Sequence, residues 1–252
     1  MVRNFDHERY LCNLFLPPPA RPTMFAVHAF NLELARVREV VSEPTIRRMR
    51  FQWWRDTLES SSRGRPSANP VAEGLANVLA ARPLMRPWLD RLIVMREVDL
   101  DIVQQPETMS WVDDYAAGTA GSLVHCAVEA VDAGSLDAAH EAARHIGRAH
   151  GLVTALRGTP FHLAQGYTYL PRALTAAHGV LPRDLFNGRR VPALDAAVGE
   201  LAESARQSLR EGDAIASKLP AHARAAVVPA AVCGTYLAAL ASVGNNLFDP
   251  RL

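Results

Sequence analysis

Apolar residues recur at helical spacing along almost the whole chain, and no stretch of useful length alternates in the way that is typical of a strand. The clearest example is the segment 24–41, in which Phe25, Phe30, Leu34 and Val37 follow the helical repeat. The chain has 252 residues, 49% of them hydrophobic, which is enough for one sizeable core. The sequence therefore predicts an all-α fold, a helical bundle that forms a single domain over 1–252.

Prolines and glycines divide this helical pattern into segments. The region 158–190 contains seven of them, and because both residue types interrupt helices it is predicted to be loop with short helical pieces. Glycines also lie inside two of the helical patterns despite their low helix propensity, which indicates close approach of neighbouring helices. The predicted helices span about 5–15, 24–41, 44–58, 71–81, 87–103, 110–131, 136–156, 193–217 and 221–248.

Composition excludes several classes of protein. There are 27 basic and 26 acidic residues, and this balance does not suit nucleic-acid binding. Three scattered cysteines are too few for a disulfide framework or a zinc site, and they favour a reducing compartment. The uncharged stretch 225–243 has the length of a membrane span, but its alanines and Pro229 favour a buried core helix.

Several sequence blocks, in this order, are similar to those of the squalene/phytoene synthase family. The resemblance extends over about the first two-thirds of the chain and implies an isoprenoid-synthase-like helical bundle. The blocks are Tyr10 to Pro17, Ala29 to Arg36, Ile46 to Trp54, Arg96 to Leu100, Tyr115 to Gly121, and Gly147 to His162 with Tyr169-Leu170-Pro171.

The same resemblance identifies two damaged motifs. Catalytic members of the family are expected to bind prenyl diphosphates through magnesium held by two DxxxD motifs, since residues i and i+4 share one face of a helix. In this chain the first motif aligns with Ala35 and Glu39, and the second aligns with Gly158 and His162. Because one acid of four remains, we expect no metal, no cofactor and no catalytic residue.

One enzymatic alternative stays open at this point. Glu97 and Asp101 have the i, i+4 spacing, so a prenyl diphosphate-utilising synthase with a rearranged ion site could use them. The simpler interpretation is an exposed acidic face. Arg36 and Arg38 lie within the motif that ends at Glu39, and their charges would repel a divalent cation at close range.

Four arginines are candidates for binding an anion or a lipid head group without a metal. A guanidinium can hold a phosphate or carboxylate through two parallel hydrogen bonds. The alternative is that these arginines pair with Glu33, Glu39 or Glu97 inside the bundle. The candidates are Arg36, Arg38, Arg148 and Arg157.

A noncatalytic branch of the family offers a closer resemblance, namely the mitochondrial assembly factors of respiratory complex I, the NADH:ubiquinone oxidoreductase, and their bacterial relatives. The similar segments are 29–35, 42–46, 156–162 and 246–252. This resemblance implies an assembly factor in the mitochondrial matrix, peripheral to the inner membrane, with complex I subunits or other assembly factors as partners. A bacterial cytoplasmic relative and a noncatalytic binder of an isoprenoid or another lipid are the remaining alternatives.

Overall fold

A computed structural model describes residues 1–65 and 67–252, and the regular segments of this part are helices, which confirms the all-α prediction. Short 3₁₀ turns connect several helices, and a π-helical segment, Ala117–Gly121, joins two of them. The α-helices are α1 Val2–Phe5, α2 His7–Leu14, α3 Arg21–Val40, α4 Pro44–Ser62, α5 Pro70–Ala81, α6 Arg86–Val98, α7 Met109–Ala116, α8 Ser122–Ala130, α9 Asp137–Ala164, α10 Arg172–Ala177, α11 Pro182–Phe186, α12 Pro192–Ala216, α13 Ala221–Arg224 and α14 Pro229–Ser242.

Helix α9 is the central element of the bundle. It packs against α7, α8, α12 and α14, and its 28 residues extend across two clusters of buried side chains. Its first half, with Ala143 and Ile146, belongs to the cluster built by α3 to α6 and α8. Its second half, with Leu152 and Leu156, belongs to the cluster built with α12 and α14. One continuous helix therefore contributes to both clusters.

The end of α9 differs from the prediction. The loop expected from residue 158 onward begins only after Ala164, and Pro160 lies inside the helix. Proline removes one backbone hydrogen bond there, but Thr159 and Leu163 are buried on either side, and the Thr159 hydroxyl donates to the Ala155 carbonyl at 2.9 Å. The burial of Thr159 and Leu163 thus outweighs the tendency of Pro160 to end the helix. Beyond Ala164 the short helices α10 and α11 agree with the prediction.

Four other predicted helices are interrupted: 87–103 ends at Val98 before a 3₁₀ turn, and 110–131 contains the π-helical segment. The first helix of the chain is divided at Asp6, whose carboxylate accepts a hydrogen bond from the Arg9 amide at 3.1 Å and caps α2. The last is divided before Pro229, where the segments Ala221–Val227 and Pro229–Ser242 meet at 46°. Within the described residues no single helix is long and apolar enough to cross a membrane. Only this bent pair of helices, taken together, has the length and composition of a membrane span.

Helix α14 is buried on one face rather than all round. Cys233, Leu237 and Leu240 face the core, whereas Ala231 and Thr235 are exposed. The prediction of a buried core helix is therefore right for one side of α14 and wrong for the other.

Glycines allow α9 to approach the π-helical segment directly. A Cβ atom on Gly147 would overlap the Cα atom of Gly121, and one on Gly151 would overlap Ala116. Only glycine leaves enough room for backbones at this distance. The predicted close approach of helices at these positions is confirmed.

We expect Gly147→Ala to lower the free energy of unfolding by about 1–3 kcal/mol, because the added methyl group forces the two backbones apart. Gly234→Ala in α14 is a matched control, since its Cβ would lie 3.8 Å from Leu209 and would improve helix propensity by up to about 1 kcal/mol. Urea denaturation of both variants measures the difference. Equal effects of the two substitutions would contradict backbone contact at Gly147.

Candidate functional site

The two degenerate motifs meet at one internal cavity of about 200 Å³. Ala35 and Glu39 reach it from α3, and His162 reaches it from α9. Gly158 lies one turn before His162, and a Cβ on Gly158 would be 2.6 Å from the imidazole Cε1. The imidazole therefore occupies the space that a side chain at position 158 would need. The other lining residues are Arg9, Arg38, Arg96, Asp99, Tyr115, Thr119, Ala120, Gly151, Thr154, Ala155, Tyr167 and Tyr169.

A buried carboxylate organises one wall of this cavity. Asp99 is 3% exposed and lies in the 3₁₀ turn that follows α6. It accepts hydrogen bonds from the Tyr169 hydroxyl at 2.7 Å and from Nη1 of Arg38 at 3.1 Å. Arg38 also donates to the Ile102 carbonyl at 2.8 Å. Burial raises the pKa of Asp99 above its usual value, although Arg38, Tyr169 and Arg96 favour the ionised form.

Aromatic rings enclose the cavity on the side of α7 and α9. Tyr115 and Tyr169 are stacked with ring centroids 5.1 Å apart, and the His162 ring lies 4.9 Å from Tyr167 and 5.0 Å from Tyr169. The Arg38 guanidinium lies 3.9 Å above the centre of the Tyr167 ring, a cation–π contact. These contacts restrict both Arg38 and His162 to one orientation.

Two nitrogen atoms in the cavity wall are buried without a hydrogen-bond partner among the described residues: Nε of Arg96 and Nδ1 of His162. The other guanidinium nitrogens of Arg96 donate to the Tyr115 hydroxyl at 2.6 Å and to Asn31 at 3.3 Å. Burial, with the charges of Arg38 and Arg96, lowers the pKa of His162 to about 4, so its ring is neutral at pH 7. A buried polar atom normally has a partner, so these two nitrogens are unsatisfied polar atoms beside the cavity.

The four candidate arginines do not converge on this cavity. Arg38 lines it, whereas Arg36 lies 4.5 Å from the centre of the Phe5 ring and lines a different cavity. Arg148 pairs with Asp113 at 2.7 Å. Arg157 pairs with Glu8. The expected pairing with Glu33, Glu39 or Glu97 is wrong for Arg38, Arg148 and Arg157, because helices distant in sequence supply nearer carboxylates.

The sequence indicates only some of the other residues that line the cavity. Arg96, Asp99, Tyr115 and Tyr169 lie in the family blocks, but those blocks contain no sign that they hydrogen-bond to one another. Thr119 and Thr154 also lie in family blocks. No signal in the sequence identifies the remaining polar residues, Arg9 and Tyr167, since their segments meet the others only in the folded chain.

The alternative ion site at Glu97 and Asp101 is not assembled. Glu97 pairs with Arg55, and Asp101 lies in the 3₁₀ turn beyond α6, 3.8 Å from Arg48. Helix α6 ends at Val98, so Glu97 and Asp101 do not share one face of an α-helix as their i, i+4 spacing predicts. In the part of the chain that the structure describes, no three or more His, Cys, Asp or Glu side chains are grouped so that they could hold a metal ion.

We expect Asp99→Ala to lower the free energy of unfolding by about 3 kcal/mol, because it leaves the largely buried Arg38 without its carboxylate. Asp101→Ala is the control, since its 74% exposed side chain makes only a surface ion pair worth up to about 1 kcal/mol. Urea denaturation at pH 7 compares the two variants. A change of less than 1 kcal/mol for Asp99→Ala would contradict the central role of its carboxylate.

Residues 2–252 match the family model described as squalene/phytoene synthase. The mouse protein described as "NADH dehydrogenase (ubiquinone) complex I, assembly factor 6" is 34% identical over 252 residues, which cover 100% of this chain and 75% of the mouse protein. Its human counterpart is 32% identical with the same coverage. The crystal structure of a squalene synthase from Alicyclobacillus acidocaldarius superposes with a TM-score of 0.85 at 20% identity, covering 97% of this chain and 92% of that one. These findings confirm the isoprenoid-synthase-like fold and the family resemblance.

Proposed function

We propose that this chain, which belongs to the squalene/phytoene synthase family, is a noncatalytic assembly factor for respiratory complex I. The similarity of the whole chain to relatives described as complex I assembly factors supports this role. One observation carries the noncatalytic part of the proposal: the four metal-motif positions hold Ala35, Glu39, Gly158 and His162, and three of them line one cavity.

The residues present do not fit a magnesium–diphosphate cluster. Glu39 supplies the one carboxylate of the two motifs, and the other three motif positions hold Ala35, Gly158 and His162. Magnesium requires near-octahedral oxygen ligands, which an imidazole above a glycine does not supply. The cavity of about 200 Å³ is also smaller than the roughly 300–1,000 Å³ of ordinary small-molecule sites. Both features support binding or assembly rather than turnover of prenyl diphosphates.

The proposed partners are complex I subunits or other assembly factors, and the proposed compartment is the mitochondrion. More narrowly, we propose the matrix side of the inner membrane, with peripheral attachment. The chain is proposed to act as one domain over 1–252, and the participation of α9 in both core clusters supports this.

Deleting the gene should remove assembled complex I from a native gel, and the wild-type chain should restore it. Glu39→Gln removes the last motif carboxylate and should restore assembly equally well, because no metal step depends on it. Normal complex I in the deletion strain would contradict the assembly role.

A turnover assay addresses the noncatalytic part separately. Purified protein with labelled farnesyl or geranylgeranyl diphosphate and magnesium should release no pyrophosphate above the protein-free background. Release that Glu39→Gln abolishes would show that the chain is a synthase with a rearranged ion site.

A second role is favoured by the two buried nitrogens without partners, Nε of Arg96 and Nδ1 of His162. We propose that the cavity binds a small phosphate or carboxylate anion directly, without a metal. Among the lining residues, Arg9, Arg38 and Arg96 are cationic and Glu39 and Asp99 are anionic, and Arg9 pairs with Asp6 outside the lining. Of the four arginines expected from the sequence, Arg38 alone takes part in this site.

Calorimetric titration with inorganic pyrophosphate in EDTA should detect binding to the wild-type chain. Arg96→Met should weaken it at least about tenfold, since a charged hydrogen bond contributes about 1.5–3 kcal/mol. Arg36→Met is the matched control and should leave binding unchanged, because Arg36 lines a different cavity. Absence of binding, or binding that requires magnesium, would contradict the proposal.

A further inference from the structure

A small cavity of about 30 Å³ lies beside the central cavity, and the two share the lining residue Arg9. Residues of α2, α3, α8, α9 and α14 line it, so it lies where the N-terminal helix α2 packs on the rest of the bundle. Most of the lining is apolar. The lining side chains that carry nitrogen are those of Arg9, Asn13, His28 and His150.

Two buried atoms of this lining have no hydrogen-bond partner among the described residues: Nδ2 of Asn13 and Nδ1 of His28. Asn13 belongs to α2 and is 2% exposed, and His28 belongs to α3 and is 6% exposed. Leaving such an atom unpaired is costly, and most buried polar atoms in folded proteins bond either to the protein or to ordered water. The two nitrogens therefore need a partner that the chain itself does not supply.

The charges around the cavity favour an uncharged partner. Burial, together with the charge of Arg9, lowers the pKa of His28 and that of His150 to about 3, so both rings are neutral at pH 7. The Arg9 guanidinium pairs with Asp6 and needs no further counter-ion. A neutral polar molecule thus suits this space better than a cation or an anion.

The volume of the cavity selects among neutral molecules. One water molecule needs a free volume of about 10–15 Å³ and two to four polar partners. The cavity exceeds that volume, and it offers the two unpaired nitrogens with the His150 ring as a third polar group. An apolar occupant would leave both nitrogens unpaired, and the cavity is far smaller than the roughly 300–1,000 Å³ of sites for larger ligands.

We propose that this cavity is a binding site for an ordered water molecule, which accepts a hydrogen bond from Nδ2 of Asn13, bonds to Nδ1 of His28 and so links α2 to α3. Water suits either tautomer of His28, because it donates to an unprotonated Nδ1 and accepts from a protonated one. Such a water is part of the contact that fixes α2 on the bundle, and it is independent of the proposed assembly role.

A crystal structure of the wild-type chain tests the site directly. Electron density for a water is expected inside the cavity, within hydrogen-bonding distance of both nitrogens. A dry cavity, an ion in it, or direct pairing of the two side chains with other residues would overturn the proposal.

A double-mutant cycle in urea tests the site in solution. Asn13→Leu and His28→Leu should each lower the equilibrium constant for folding about fivefold or more, because each removes one partner of the water and leaves the other side chain poorly satisfied. The double variant should lose clearly less than the product of the two single effects, since a cavity without either polar group needs no water.

His178→Leu combined with Asn13→Leu is the matched control, because His178 pairs with Glu200 and does not line the cavity. The effects of this pair should be independent of each other. Independent effects of Asn13→Leu and His28→Leu as well would contradict a shared water. Circular dichroism verifies that each variant is folded before urea is added, and the wild-type crystal structure decides the matter if a variant is not.

Discussion

Direct contact between α9 and the π-helical segment is the constraint on which the rest of the structure depends. Gly147 and Gly151 leave no side chain between α9 and the backbone from Ala116 to Gly121. Because α9 belongs to both core clusters, this contact sets the position of each cluster relative to the other. It also brings the second half of α9, with His162, towards the cavity wall formed by α3 and α6.

Within that cavity a network of protein side chains lies beside the positions that align with the two metal motifs. Asp99 contacts Arg38 and Tyr169, and the Tyr167 ring covers the Arg38 guanidinium. Side-chain ion pairs and stacked rings thus line the same cavity as the motif positions Ala35, Glu39 and His162. Removing one member of such a network lowers the stability of the fold strongly. Its polar groups are buried, so each lost partner leaves another group without a hydrogen bond.

The two altered positions of the second motif are physically coupled. The His162 ring lies against Gly158, so a side chain at 158 would require the imidazole to move, and the imidazole is held between Tyr167 and Tyr169. Restoring one carboxylate would therefore not restore the site. Gly158, His162 and the rings around them form one packed arrangement, which supports the proposed role in binding or assembly.

The sequence by itself determined the helical class, most helix positions, the family and the degenerate motif residues, because helical periodicity and motif spacing are local properties of the chain. Only the tertiary structure decided that α9 continues through Pro160, since burial of Thr159 and Leu163 depends on other helices. It also decided which arginines share a cavity. Arg36 and Arg38 are two residues apart and line different cavities, and Arg157 lines a third one. Side-chain partners such as Asp99 and Glu8 come from distant segments, and no local pattern encodes such contacts.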